Sequence, residues 1–204
     1  MQKFRKIGIL SSGGDAPGMN AAIRAVTRRA LSQGIEVVGI LGGYAGLLGA
    51  ADESDPDVIR EKHLRPLDAH SVSNIGTRGG TILYSSRCPE FKTEAGMAKA
   101  LRVCHEQSID AIIAIGGDGT FRGATDLTNH GIPSIGIPGT IDNDITATEL
   151  TIGFDTALNT CLRMIDDLRD TAESHARCII TEIMGNGCGL LALYTGIASG
   201  AISI

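Results

Sequence analysis

Two acidic groups set among glycines carry the chemistry this sequence offers. In "GGDGT" (116–120), Asp118 sits between Gly117 and Gly119. In "GIPGTIDND" (136–144), Asp142 and Asp144 flank Asn143 just past an apolar run. Glycines let backbone N–H groups approach phosphate oxygens, and a carboxylate belongs beside polyphosphate only with a cation between them. Asp118 therefore predicts a Mg²⁺ site. Asp142 is the type of group that takes a proton from an acceptor hydroxyl during phosphoryl transfer, with Asp144 to orient it or share the metal contacts. Simpler roles compete. Asp118 can cap a following helix. An Asx-turn suits either aspartate at 142 or 144 alone and explains the pair poorly. Arg87, after "LYSS", is either a solvated loop arginine or a cation that neutralises transition-state charge.

The elements that must position these residues read as a doubly wound pattern. "KIGILSS" (6–12) predicts a strand, "MNAAIRAVTRRALSQG" (19–34) a helix with a glycine stop, and "EVVGIL" (36–41) a second strand. The charged stretch 49–66 reads as a surface excursion with room for a short helix, and 71–91 as polar turns around a glycine pair. A helix over 93–108, a strand entering "IGGDGT", a helix over 121–131 and the strand "IPSIGIP" follow. Then come an amphipathic helix over 156–174, a strand and turn over 176–189, a helix over 190–200 and the start of a strand in "AISI". The fold class is α/β, a parallel-sheet, Rossmann-like three-layer sandwich. Four glycine-rich turns, "SSGGDAPG", "IGGDGT", "GIPGTIDND" and "MGNGCG", each follow a strand. In a parallel sheet they open on one edge, where ligands of such folds bind.

Composition narrows the function classes. The 204 residues are 43% hydrophobic with a net charge of −5, so no basic field for nucleic acid is present. Only 3% are aromatic, which argues against a base-stacking platform. No apolar run is long enough to cross a membrane, and no signal peptide is expected. The 27 glycines cluster in pairs, as turns do. Five cysteines without a CxxC pair favour reduced thiols and a cytoplasmic setting.

The ordered motifs "GILSSGGDAPGMNAAIR", "GGYAGLL", "RGGTILYSSRCPEF", "IGGDGT", "IPGTIDNDI", "TIGFDTA", "LRDTAESHAR" and "EIMGNGCGLLAL" resemble the N-terminal part of the bacterial ATP-dependent 6-phosphofructokinase family. "GGDGT" alone is less specific, since NAD kinases and diacylglycerol kinases share it. The resemblance implies transfer of the γ-phosphoryl group of ATP to the 1-hydroxyl of fructose 6-phosphate. It implies a nucleotide-binding domain over 1–140 and a sugar-phosphate domain begun over 141–204. Gly13, Tyr44, Arg87, Cys88, Gly117, Asp118, Gly119 and Thr120 would contact ATP, with Asp118 on Mg²⁺ and Arg87 acting in catalysis as well. Thr140, Ile141, Asp142, Asp144, Met184, Gly185 and Asn186 would face the sugar, with Asp142 as base and Thr140 beside it. Arg177 would reach into a neighbouring subunit, which implies a homo-oligomer, typically a tetramer.

The resemblance also marks departures. The family's "MGR" turn reads "MGN", so a neutral amide at Asn186 replaces a charged fork. Arg24, Arg28 and Arg169 match the phosphate-binding arginines of an allosteric effector pocket, whereas Ala69 and Ile202 stand where that pocket has an arginine and a metal-binding glutamate. Arg24 and Arg28 also suit a solvated helix face. Pyrophosphate-using relatives carry Asp at the place of Gly119 and Lys at the place of Gly139, so both glycines are expected to leave room for ATP. Two alternatives remain open at this point: a pyrophosphate-dependent phosphofructokinase, and a truncated or non-catalytic nucleotide-binding member.

Overall fold

A computed structural model describes residues 4–146 and 148–204. The chain alternates strand and helix: β1 (Lys6–Ser12), α1 (Met19–Leu31), β2 (Glu36–Ile40), α2 (Tyr44–Asp52), α3 (Pro56–Lys62) and β3 (Leu64–Leu67) come first. Then follow α4 (Glu94–Glu106), β4 (Ala111–Gly116), α5 (Asp118–Asn129), β5 (Ser134–Thr140), β6 (Ile152–Gly153), α6 (Phe154–Ser174) and α7 (Leu190–Ser199). The strands form one sheet in the order β3-β2-β1-β4-β5-β6. All neighbours are parallel except β2 and β3.

Side chains of the central strands alternate between two buried faces, as a two-residue period requires. Ile7 and Ile9 of β1, Val37 of β2 and Ala111 and Ile115 of β4 meet Met19, Ile23 and Ala30 of α1. Leu10, Val38, Ile40, Ile112 and Ala114 face the other way, against α2, α4 and α5. The buried residues of α1, at 19, 20, 23, 27 and 30, lie on one side of the helix. Truncating a fully buried side chain in either layer, such as Ile112, is expected to cost about 2–5 kcal/mol.

Two stretches differ from the sequence reading. The excursion over 49–66 contains the end of α2, then α3, capped by Asp55, whose side chain accepts from Asp57 N–H at 2.9 Å. It also contains β3, an antiparallel edge strand in which Pro66 pairs with Val38. A proline argues against a central strand and is tolerated at an edge, which is why "LRPL" did not read as one. Conversely, no strand forms over 176–189 or in "AISI". A strand needs a partner for its N–H and C=O groups, and the described sheet ends at β6. Ile180 in that stretch is 94% exposed. The 21-residue α6 buries only Phe154, which meets Tyr194 of α7 edge to face at 5.8 Å.

Candidate functional site

The carboxyl ends of β1, β4 and β5 open on one edge, and the glycine-rich turns after them line a cleft of about 670 Å³. Gly13 and Gly14 enter from the first turn, Gly117 to Thr120 from the second, and Thr140, Asp142 and Asp144 from the third. Arg87 and Cys88 close one side. A contiguous cleft of about 580 Å³ shares Gly14, Arg87, Thr140, Asp142 and Asn186 and adds Ile141, Met184 and Gly185. Residues from four turns, more than 170 positions apart in the chain, are thereby assembled at one place.

The phosphate-type turn is held from beneath. Thr120 Oγ1 donates to the Ser12 carbonyl at 2.9 Å and so ties the end of β1 to the start of α5. A Cβ at Gly116 would lie 2.4 Å from that hydroxyl oxygen, so only glycine allows the clasp. Tyr44 is 4% exposed, its hydroxyl donates to the Thr120 carbonyl at 2.7 Å, and its ring stacks on Phe91 at 4.1 Å. Burial, then the charge of Asp126, pushes the Tyr44 phenol well above its ordinary pKa. Thr120 and Tyr44 thus contribute a wall rather than free hydroxyls.

Asp118 is the first residue of α5 and does not cap it; Gly117 holds the cap position. Its carboxylate instead pairs with Arg122 at 2.9 Å. It stands where the helix dipole favours anionic ligands, and a Cβ at Gly119 would meet no described atom within 4 Å. No cluster of three or more potential metal-ligating side chains exists among the described residues. One solvent-exposed carboxylate, beside the open space at Gly119, fits Mg²⁺, which takes one or two protein carboxylates and completes its coordination with phosphate oxygens and water.

The acidic turn is built around the residue that carries no charge. Asn143 adopts a left-handed backbone, φ 54°. Its Oδ1 accepts the Thr151 N–H at 2.8 Å, and its amide donates to the Glu149 carbonyl at 3.2 Å. Thr151 Oγ1 closes the loop on the Thr140 carbonyl at 2.6 Å. The flanking carboxylates of Asp142 and Asp144 are left to line the cleft. Partial burial raises the Asp142 pKa, the Asp144 charge raises it further, and a hydrogen bond with Thr140 lowers it. The Asp142 N–H donates to Thr140 Oγ1 at 3.2 Å. A carboxylate with a raised pKa is the stronger base.

Arg87 owes its position to a serine-rich loop anchored to β1 and the turns after β1 and β2. Ser11 Oγ donates to the Tyr84 carbonyl at 3.0 Å, Ser86 Oγ to the Gly42 carbonyl at 2.7 Å, and Ser85 Oγ to the Gly13 carbonyl. Asn20 fixes the same loop through the Arg78 and Gly79 carbonyls and the Ile82 N–H. The cleft also holds Lys92, Arg122 and Asp126, and the adjoining one Asp15 and Glu182, none of which the motifs singled out. Asp15 lies three residues past β1 and Arg122 one helical turn beyond Asp118, a signal the sequence does carry; Lys92, Asp126 and Glu182 have none.

Four predicted residues lie outside both clefts. Arg24 and Arg28 are on α1. Arg169, on α6, donates to the Ser199 carbonyl and pairs with Asp166 at 3.6 Å. Arg177 is exposed beyond the end of α6. The two glycines expected to leave donor space also differ. Gly119 faces open space, but a Cβ at Gly139 would point into the core, 3.1 Å from Ile115 Cγ2 and 3.4 Å from Met19 Cε. Of the two, only Gly119 leaves space toward the cleft.

Comparison with known proteins follows the same outline. A family model described as phosphofructokinase matches residues 6–204. An ATP-dependent 6-phosphofructokinase of Halalkalibacterium halodurans is 52% identical over 201 residues, which cover 98% of this chain and 59% of the relative. The structure of phosphofructokinase from Saccharomyces cerevisiae superposes with a TM-score of 0.86 at 36% identity, over 97% of this chain and 28% of that one. A pyrophosphate-dependent phosphofructokinase from Marinobacter aquaeolei shares the fold, with a TM-score of 0.65 at 19% identity, over 96% of this chain and 50% of its own. The chain thus spans about three fifths of the length of the curated relative it matches.

Proposed function

The chain belongs to the phosphofructokinase family, and from that premise we propose that it carries the nucleotide-binding and proton-abstracting part of an ATP-dependent 6-phosphofructokinase. The observation that carries the reading is the convergence of the Gly117–Thr120 turn and Asp142 on one cleft. The turn after β4 binds the ATP phosphates through backbone N–H groups at the positive end of α5. Asp118 would hold Mg²⁺, which when bound would supply charge neutralisation for the phosphates. Asp142 accepts the proton of the 1-hydroxyl of fructose 6-phosphate as that oxygen bonds to the γ-phosphorus and the bond to ADP breaks. Arg87, which lines both clefts, offsets the negative charge that develops on the transferring group.

The remaining assignments belong to the same reading. Residues 1–140 are the nucleotide-binding domain, and 141–204 begin the sugar-phosphate domain. Two features support this division: among the described residues after 153, the only buried hydrophobic ones are Phe154 and Leu191, and Met184, Leu193 and Ile197 remain exposed. Thr140, Ile141, Asp144, Met184, Gly185 and Asn186 contact the sugar phosphate from the second cleft and its rim. Exposed Arg177 serves a neighbouring subunit of a homotetramer. The five free cysteines suit a cytoplasmic enzyme.

ATP is the donor favoured by the open space at Gly119 and by the 52% identical relative named for it. The test is a donor comparison: formation of fructose 1,6-bisphosphate with Mg²⁺ and either ATP or pyrophosphate. Product from ATP alone is expected. Product from pyrophosphate alone overturns the donor assignment. Mg-ATP binding without any product supports the non-catalytic alternative, which Asn186 motivates.

A further inference from the structure

The cleft contains one ion pair that the proposed chemistry does not use. Arg122 Nη2 lies 2.9 Å from Asp118 Oδ2, one helical turn along α5, and both residues line the cleft. The side chains are 76% and 59% exposed. No other ion pair to Asp118 is formed among the described residues. The arrangement creates a conflict. The oxygen that Arg122 holds belongs to the carboxylate proposed for the cation, and a bare carboxylate there repels an incoming polyphosphate.

We infer that Arg122 is a positioning residue that stands in for the divalent cation on Asp118, neutralising that carboxylate at the phosphate cradle until the metal takes its place. The inference rests on the Mg-ATP reading of this cleft. Without metal, the guanidinium cancels the Asp118 charge and points its carboxylate along the first turn of α5. On arrival of the metal the pair opens, because one carboxylate oxygen cannot serve both partners at full strength. The exposure of the pair makes this exchange cheap, since solvated i,i+4 pairs are weak. Gly119, with open space at its Cβ position, leaves room for the side chains to move.

The role separates from two simpler ones by its metal dependence. An ordinary phosphate contact strengthens nucleotide binding with or without metal. A solvated surface pair affects neither. The experiment titrates ATP into the wild-type chain and the Arg122→Gln, Arg122→Lys and Asp118→Asn variants, each in EDTA and in excess Mg²⁺, with a melting curve to confirm folding. Arg122→Gln is expected to weaken metal-free binding about three- to tenfold, the repulsion of one exposed unit charge at close range, and to change Mg-ATP binding by less than about twofold. Arg122→Lys restores most of the metal-free affinity. Equal losses in both conditions, or no loss in either, overturn the inference. If Asp118→Asn leaves the Mg²⁺ dependence of binding intact, the metal assignment fails and takes the inference with it. A failure confined to Arg122→Gln leaves the metal assignment standing.

Discussion

Asn143 accepts the Thr151 N–H at 2.8 Å, and Thr151 in turn donates its hydroxyl to the Thr140 carbonyl at 2.6 Å, so one uncharged residue fixes the turn that carries both aspartates. Asn143→Ala removes this bond and places a residue less suited to φ 54° in the left-handed region. A cost of about 1–2 kcal/mol to the local turn is expected. Turnover should fall while the affinity for ATP, whose proposed site is the turn after β4, changes little. Hydrogen exchange at Thr151 N–H, compared with ATP titration, checks the split.

Asp142→Asn removes the proposed base and keeps the shape. Loss of turnover by a factor on the order of 10²–10⁴ is expected, with ATP affinity within about twofold of wild type. Steady-state assays and calorimetry on the same preparation measure both. Near-normal turnover in this variant sinks the assignment.

The acid side of the pH profile should follow Asp142. Its folded pKa is raised, by burial first and Asp144 second, so the carboxylate becomes competent as a base only at a higher pH than an ordinary aspartate does. Activity then falls as pH drops through that raised value. Asp144→Asn removes the like charge, lowers the Asp142 pKa and moves the acid limb to lower pH. A limb that stays in place, or moves up, contradicts the coupling.

The two donor-side glycines should respond differently. Gly119→Asp enters open space, so folding is preserved and ATP binding weakens through repulsion. Gly139→Ala pushes a methyl group against Ile115 and Met19, and a loss of about 1–3 kcal/mol of stability is expected. Melting temperature and ATP affinity, measured side by side, distinguish a cleft position from a core position.

Asn186 lines both clefts where the family resemblance places an arginine. Asn186→Arg adds a charged fork near Arg87 and Asp142. A rise in kcat on the order of 10²–10³ is expected if the missing cation limits phosphoryl transfer. Unchanged kcat would mean that another cation of the cleft already fills that role.

Stability has its own acid-sensitive contact. The Asp110 carboxylate accepts the backbone N–H of Arg5 at 2.6 Å and of Lys6 at 3.0 Å, tying the start of β1 to the loop before β4. These bonds lower its pKa in the folded chain. A lowered folded pKa stabilises above the unfolded value and is lost as pH falls through the folded one. Asp110→Asn should therefore lower the melting temperature at neutral pH and flatten its fall in acid.

The alternating core of β1, β2 and β4, the helices behind them and the run of glycine-rich turns were legible in the sequence, because a two-residue or 3.6-residue period and a glycine stop are local properties. So was the cluster of Asp118, Asp142 and Asp144, since each sits within a few residues of a turn. Edge strand β3 was hidden by Pro66, whose fitness depends on which side of the sheet it faces. The stretch 176–189 shows the reverse error. It has the composition of a strand, but a strand is completed by a partner and none is described beside it.

What the sequence determined by itself was therefore which residue types gather at one edge of the sheet, because residue types and periods follow from the chain alone. Direction and partnership were decided by tertiary structure. Only packing turns Gly139 toward Ile115 instead of toward the cleft, commits the Tyr44 hydroxyl to Thr120, and brings Asn143 to Thr151. Each depends on where a second segment lies, and burial decides its cost: a polar group removed from water must find its hydrogen bond in the fold.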